Sequence, residues 1–248
     1  MYRNNKGLWE WSLDVNVFLQ DFVKKCEVFD LSPHDVRFYS QQDEDKYIIQ
    51  YILKEKITDG TFLEVGGMDG VSCSNTKTLE DYFHFSGILI EPVEKQFNEM
   101  TRNRPNCQCY NYCVSNREDN EIEYMGYNGC AGIVETIDSS SLNFIPENDR
   151  EPYKVRNRKM SEIIKESGLK YIDIMSIDVE GGELSLLQSI DFTFPIYCII
   201  IEAHSTEQEK NKIFGNYLKQ NGFTYHERQR GNEVWINPDY FRRKLFNL

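Results

Sequence analysis

The chain has 248 residues, 40% hydrophobic and 13% aromatic, enough for a substantial core in one large domain or two small ones. Its net charge of −12 argues against non-specific binding to nucleic acid or anionic membrane, which needs a surplus of Lys and Arg. No apolar run approaches the ~18 residues of a membrane span, and the polar N-terminus lacks the apolar segment of a signal peptide, so a cytoplasmic location is expected. Residues 1–38 read as a helical extension, with Val15, Phe18, Leu19, Phe22 and Val23 on one face ahead of Pro33. A second helix is expected from Asp43 to Lys56, with Tyr47, Ile48, Tyr51 and Ile52 inward.

From there strand and helix patterns alternate. Short apolar strands are expected at Phe62–Val65, Gly87–Ile90, Cys107–Val114, Tyr171–Ile177 and Ile196–Ile201. Amphipathic helices fall between them at Thr76–Phe83, Val93–Arg102, Glu183–Ser189 and Thr206–Asn221. This alternation predicts an α/β domain with a parallel sheet covered on both faces. Phe223–Gln229 and Glu233–Ile236 flank "RGN" and predict a hairpin at an antiparallel edge. The segment Gly126–Arg158, rich in Asn, Ser, Gly and Pro, reads as loops over one end of the sheet. The basic runs "RNRP" (Arg102 to Pro105) and "KVRNRK" (Lys154 to Lys159) read as solvated faces, with an anionic ligand as the alternative.

Seven cysteines, an odd number, fit a reducing compartment better than a disulfide framework. Cys107, Cys109 and Cys113 are close in sequence but form no paired C-x-x-C, so core cysteines are expected rather than a zinc site.

The chemistry concentrates at strand ends. In "TFLEVGGMDG" a strand carrying Glu64 breaks into Gly66, Gly67 and Gly70, where a ligand can approach backbone and the next helix offers free N–H groups. The stretch has neither a G-K-[ST] phosphate loop nor a full G-x-G-x-x-G. In "GILIEP" Glu91 ends the next strand, a position that commonly takes a ribose diol, and Pro92 stops it. A ribose, a positive centre and no required phosphate together describe S-adenosylmethionine. Further on, "SIDVEGGE" places Asp178 and Glu180 at a strand end, and "IIIEAH" places Glu202 and His204 at another.

The motifs "SQQDED", "FLEVGGMDGVSCSNT", "GILIEP", "SIDVEGGELSLLQSI" and "IIIEAH" resemble the FkbM family of S-adenosylmethionine-dependent methyltransferases, over about Ser40 to Trp235. Gly67 departs from the alanine usual there. The resemblance implies a class I methyltransferase fold, Rossmann-like, in residues 39–248: a seven-stranded sheet with strand seven antiparallel. It implies methylation of a hydroxyl group, often on a sugar, and a cofactor site built from Glu64, Gly66, Gly67, Asp69, Gly70, Asn75, Glu91, Pro92, Ser115 and Asp178.

Methyl transfer to a hydroxyl needs alignment and a proton acceptor. His204 and Asp178 are the catalytic candidates, His204 because imidazole changes charge near neutrality. Its structural alternative is a helix cap. Asp178, Glu180 and Glu202 are the candidate oxygen ligands for Mg²⁺ or Mn²⁺, which would acidify the hydroxyl instead. The expected partner is a small-molecule or glycan hydroxyl acceptor, with no nucleic acid and no membrane span. The rival reading is a catalytically inactive binding protein on the same fold.

Overall fold

The computed structural model describes residues 36–53 and 60–240, together with two short strands, β1 (Tyr2–Arg3) and β2 (Trp9–Glu10), which pair antiparallel. The helix expected from Val15 to Val23 lies outside the described residues. The helix expected from Asp43 is present: α1 (Glu44–Tyr47) passes into a π-helical turn over Ile48–Ile52, and the last residues of the expected span lie outside the described ones.

The central sheet has seven strands: β3 (Thr61–Val65), β4 (Ser86–Ile90), β5 (Gln108–Tyr110), β10 (Ile172–Ile177), β11 (Ile196–Glu202), β12 (Thr224–Gln229) and β13 (Asn232–Ile236). Their order is β12-β13-β11-β10-β3-β4-β5, and β13 alone runs against the rest. The expected hairpin forms at one edge of the sheet, and its last strand, β13, runs antiparallel as the resemblance implied; it lies between β11 and β12, so β12 is the outermost strand. Burial explains the choice: Val234 and Trp235 of β13 are buried, whereas Thr224, Tyr225 and His226 of β12 are exposed.

Alternate residues of each central strand feed two cores, as the pleat requires. Leu63, Val65, Ile88, Ile90, Met175 and Ile177 pack on one face against α5 (Met160–Ser167), α6 (Glu183–Leu187) and α7 (Gln208–Gln220). Phe62, Leu89, Ile174 and Ile200 pack on the other, against α1, α2 (Lys77–Phe83) and α3 (Glu94–Asn103). No helix among the described residues is long and apolar enough to cross a membrane.

Two expectations are corrected by a second, four-stranded sheet. The single strand expected over Cys107–Val114 is divided, β5 joining the main sheet and β6 (Cys113–Val114) the small one. The segment expected to be loops holds β7 (Glu121–Met125), β8 (Gly132–Ile133), α4 (Ser139–Phe144) and β9 (Tyr153–Arg158). The order is β6-β9-β7-β8. Its inward residues, among them Ile122, Tyr124, Ile133 and Val155, make a third core with Val93 and Cys113. This sheet walls one side of the cleft at the carboxyl end of the main sheet. Cys107 and Cys109 pack in the second core and Cys113 in the third. Burial pushes the thiols of Cys107 and Cys113 up to about 12, so all three behave as core residues.

Candidate active site

Strand order reverses beside β3, whose neighbours are β4 and β10, and ligands of open α/β sheets bind at such a reversal. The three strand ends are Gly66, Glu91 and Asp178. Gly66 takes φ +83°, and a Cβ there would stand 1.9 Å from the carbonyl oxygen of Asp178. The glycine is therefore demanded by the neighbouring strand. Gly67 packs on Met100, and Gly70 on Arg104 and Met100.

Glu64 faces the following loop. Its carboxylate accepts hydrogen bonds from Ser74 Oγ (2.8 Å), the Asn75 amide (2.8 Å) and Thr76 Oγ1 (2.6 Å), with Arg104 at 3.9 Å. Its lone pairs are thus taken up inside the protein. Arg104, fully buried, is the hub sequence reasoning missed. It pairs with Glu80, lies over the Phe62 ring, and donates to the Gly70 carbonyl (2.9 Å), Ser74 Oγ (3.2 Å) and Thr76 Oγ1 (3.2 Å). Nothing in "RNRP" marks one arginine as internal. Asp69 holds its own turn by accepting from the Val71 and Ser72 amides, and Asn75 donates to Ser176 Oγ.

Glu91 accepts one backbone N–H on each oxygen, from Met68 (2.9 Å) and Val93 (2.8 Å). Burial pushes its carboxyl up to about 7. It lines a small hollow of about 30 Å³ with Gly66, Met68, Tyr124, Gly129, Ala131, Asp178 and Glu180. A second small hollow, about 20 Å³, adjoins it through Gly66 and Tyr124 and is largely apolar, walled by Val65, Pro92, Val114, Ile133 and Val179. Together they set a buried carboxylate beside apolar walls just beyond the strand ends, the kinds of group that a ribose and a flat ring require. Of the expected cofactor residues, Gly66, Glu91, Pro92 and Asp178 face this cleft. Glu64, Gly67, Asp69, Gly70 and Asn75 shape the loop beside it. Ser115 does not reach it: it is buried between β6 and β9, donating to Asn157 Oδ1 (2.8 Å). The alternating pattern of β7 was the signal for Tyr124, which the sequence reading passed over.

Beyond the cleft lies a cluster of acids. Asp178 reaches solvent through the cleft mouth, yet it is crowded by protein. Desolvation, and then the charge of Glu180, pushes its carboxyl up to about 7. Burial also raises Glu180 and, with Asp178 and Glu180 adding repulsion, Glu202. Glu180 takes φ +55° and accepts from Ser141 Oγ; Met68, which lines the same hollow, takes φ +47°. Such strained residues cluster at functional sites. His204 stands at the rim, 29% exposed, but its Nε2 is buried and turned to the acids, 3.3 Å from Glu202 Oε1 and 3.7 Å from Glu180 Oε2. Glu180, Glu202 and His204 each bring one donor atom within 4.8 Å of the others. The geometric trio therefore contains His204 where the sequence reading had Asp178.

The "SQQDED" segment locks this end of the molecule. Asp45 accepts from the Tyr39 amide (2.7 Å) and Thr78 Oγ1 (2.7 Å). Gln42 and Glu44 hold the β12–β13 turn through the Gly231 amide (2.9 Å) and Asn232 Nδ2 (2.7 Å).

A family profile described as the methyltransferase FkbM domain matches residues 64–227. The chain belongs to the FkbM methyltransferase family. The family is one of S-adenosylmethionine-dependent methyltransferases. Among solved structures, the methyltransferase FkbM from Methylobacillus flagellatus is similar at 12% identity and a TM-score of 0.45. The match covers 90% of this chain and 58% of that one. The N-terminal domain of human METTL16 in complex with SAH aligns at 12% identity and a TM-score of 0.46, over 96% and 88% of the two chains. Aeropyrum pernix fibrillarin with bound S-adenosyl-L-methionine aligns at 11% identity and 0.40, over 72% and 66%. No curated protein matches the sequence.

Proposed function

We propose that this FkbM protein transfers the methyl group of S-adenosylmethionine to a hydroxyl of a sugar or glycan. The observation that carries the reading is the place of Asp178, a carboxylate that opens into the hollow it shares with Gly66 and Glu91. When bound, S-adenosylmethionine supplies an electrophilic methyl on a sulfonium. Glu91 would accept the ribose hydroxyls, and Asp178 and Glu180 would balance the cofactor's positive charge. Asp178 would take the proton that the acceptor hydroxyl gives up on methylation. A carboxyl held near neutrality suits that task. His204 turns its buried Nε2 toward Glu202 and Glu180, so in this reading it would act through those acids rather than on the acceptor.

A divalent metal is a second reading, favoured by one observation. Nε2 of His204 and Oε2 of Glu202 are both buried without a hydrogen-bond partner. An imidazole and two carboxylates form a donor set that Mn²⁺ accepts more readily than Mg²⁺.

The test is transfer of labelled methyl from S-adenosylmethionine to a panel of sugars, glycans, small phenols and RNA. The expected product is a sugar methyl ether, formed by the wild type and lost in Asp178→Asn. Label appearing on RNA or on nitrogen would overturn the sugar reading. Cofactor binding without transfer to any acceptor would favour a binding protein on this fold.

A further inference from the structure

Strand β9 exposes every second residue: Lys154 and Arg156 point outward while Val155 and Asn157 are buried. Lys154 and Arg156 line a groove with Lys95, Asn111 and Pro92, and Glu94 is the one acid among its lining residues. Lys95 sits in the first turn of α3, whose start has no side-chain cap. The dipole at that end favours negative charge, which Glu94 of the same turn supplies in part. The groove is held in shape. Arg156 donates to Asn111 Oδ1 (3.0 Å) and its guanidinium lies 4.7 Å over the Tyr112 ring. On the same face Glu121 and Glu123 of β7 stand across from Arg156 and Lys154, and Glu121 lies 3.7 Å from Lys154, exposed contacts of little strength.

This groove borders the cofactor cleft. Asn111 donates to the carbonyls of Glu91 (2.9 Å) and Pro92 (3.0 Å), and Lys95 lies 4.9 Å over Tyr127, in the loop whose Gly129 and Ala131 line the cleft. The cleft thus has a basic lip here and an acidic one at Asp178, Glu180 and Glu202. Opposed lips orient a ligand that is charged at one end.

We propose that Lys95, Lys154 and Arg156 form an anion site for the acceptor, which carries a phosphate or diphosphate group beside the hydroxyl that is methylated. This rests on the methyltransferase reading and names its substrate class. The acidic lip excludes an anion from the reacting end, so the neutral sugar faces Asp178 and the phosphate faces the groove. The acceptor class is a small sugar phosphate or nucleoside-diphosphate sugar.

Calorimetry with inorganic pyrophosphate tests the site directly. Binding is expected in low salt, weakening as salt rises, and falling by about tenfold for each of K95A, K154A and R156A. Affinity for S-adenosylmethionine, measured on the same variants, should stay unchanged. No pyrophosphate binding, or binding that the triple variant retains, would overturn the proposal. So would a short single-stranded RNA that binds the groove far more tightly than pyrophosphate or a nucleoside diphosphate. Cofactor binding is read separately, so loss of the methyltransferase reading would show there and not in the pyrophosphate arm.

Discussion

The carbonyl oxygen of Asp178 occupies the space that a side chain at Gly66 would fill, with 1.9 Å between that oxygen and an ideal Cβ. The turn that opens the cofactor cleft and the strand that ends in the candidate base are thereby fixed against each other. Gly66→Ala should force β3 and β10 apart, costing at least about 4 kcal/mol, because the clash is with backbone that has nowhere to go. Gly168→Ala is the control. Gly168 also has positive φ, +75°, but its Cβ would meet nothing within 4 Å, so only the ~1–2 kcal/mol of left-handed strain applies. Chemical denaturation of both variants checks the contrast; equal costs would show that the approach to Asp178 is not what requires the glycine.

Arg104 is the second restraint on that turn. Arg104→Met would leave Glu80 and Glu64 in the interior without their cation, and should destabilise the fold by ~3–5 kcal/mol. Arg104→Lys keeps the charge but cannot reach Gly70, Ser74 and Thr76 at once. It should fold and bind S-adenosylmethionine more weakly. Calorimetry giving wild-type affinity for the Lys variant would mean that the loop holds its shape without the fork.

Much of the site was legible because apolar strands stop at acids. Glu91, Asp178, Glu180 and Glu202 were placed on one edge of the sheet from "GILIEP", "SIDVEGGE" and "IIIEAH" alone. What the sequence could not give was direction. Glu64 ends the same kind of strand, yet its carboxylate serves Ser74, Asn75 and Thr76, and no local pattern separates it from Glu91. Ser115 follows a strand as expected, but that strand left the main sheet. The small sheet was missed for a different reason. In β9 the inward positions alternate Val155 with the polar Asn157, so hydrophobicity alone hides the period. In β7 the period is plain, Ile122 and Tyr124 buried between Glu121, Glu123 and Met125, but a glycine- and asparagine-rich stretch follows and reads as loop. The order of β12 and β13 depended on which strand carries the apolar load, a feature present in "EVWI" against "TYHERQ".

Glu91 and Glu183 should make the protein less stable as the solution becomes less acidic. Both are buried, and burial pushes each carboxyl up to about 7, against about 4.5 for a free glutamate. Below about pH 4.5 both states hold the proton and nothing is lost. Between there and pH 7 the unfolded chain releases protons that the native state keeps, so stability falls over that window and levels off above it. The melting temperature should drop from pH 5 to pH 7.5 in low salt, and the slope should be shallower in Glu183→Gln. A melting temperature that rises across the window would mean these carboxyls are ionised in the native state. Glu91→Ala should also weaken S-adenosylmethionine, by ~1.5–3 kcal/mol for each ribose hydrogen bond lost.

The acid cluster yields the sharpest choice between mechanisms. If Glu180, Glu202 and His204 hold a metal, the apo protein should bind Mn²⁺ with no cofactor or acceptor present, readable by electron paramagnetic resonance as loss of the free-ion signal. Glu202→Gln and His204→Ala should each weaken that binding by removing one of three donors, and EDTA should abolish methyl transfer until Mn²⁺ is restored. His204→Ala would then lose activity through the metal, and excess Mn²⁺ should recover part of it. If EDTA leaves turnover intact and Mn²⁺ stays free, the orphaned Nε2 and Oε2 have another purpose, and Asp178 carries the proton unaided. In that case Asp178→Asn should cost ~10²–10⁴-fold in turnover. His204→Ala should cost far less, because its Nε2 faces Glu202 and Glu180 and not the open cleft.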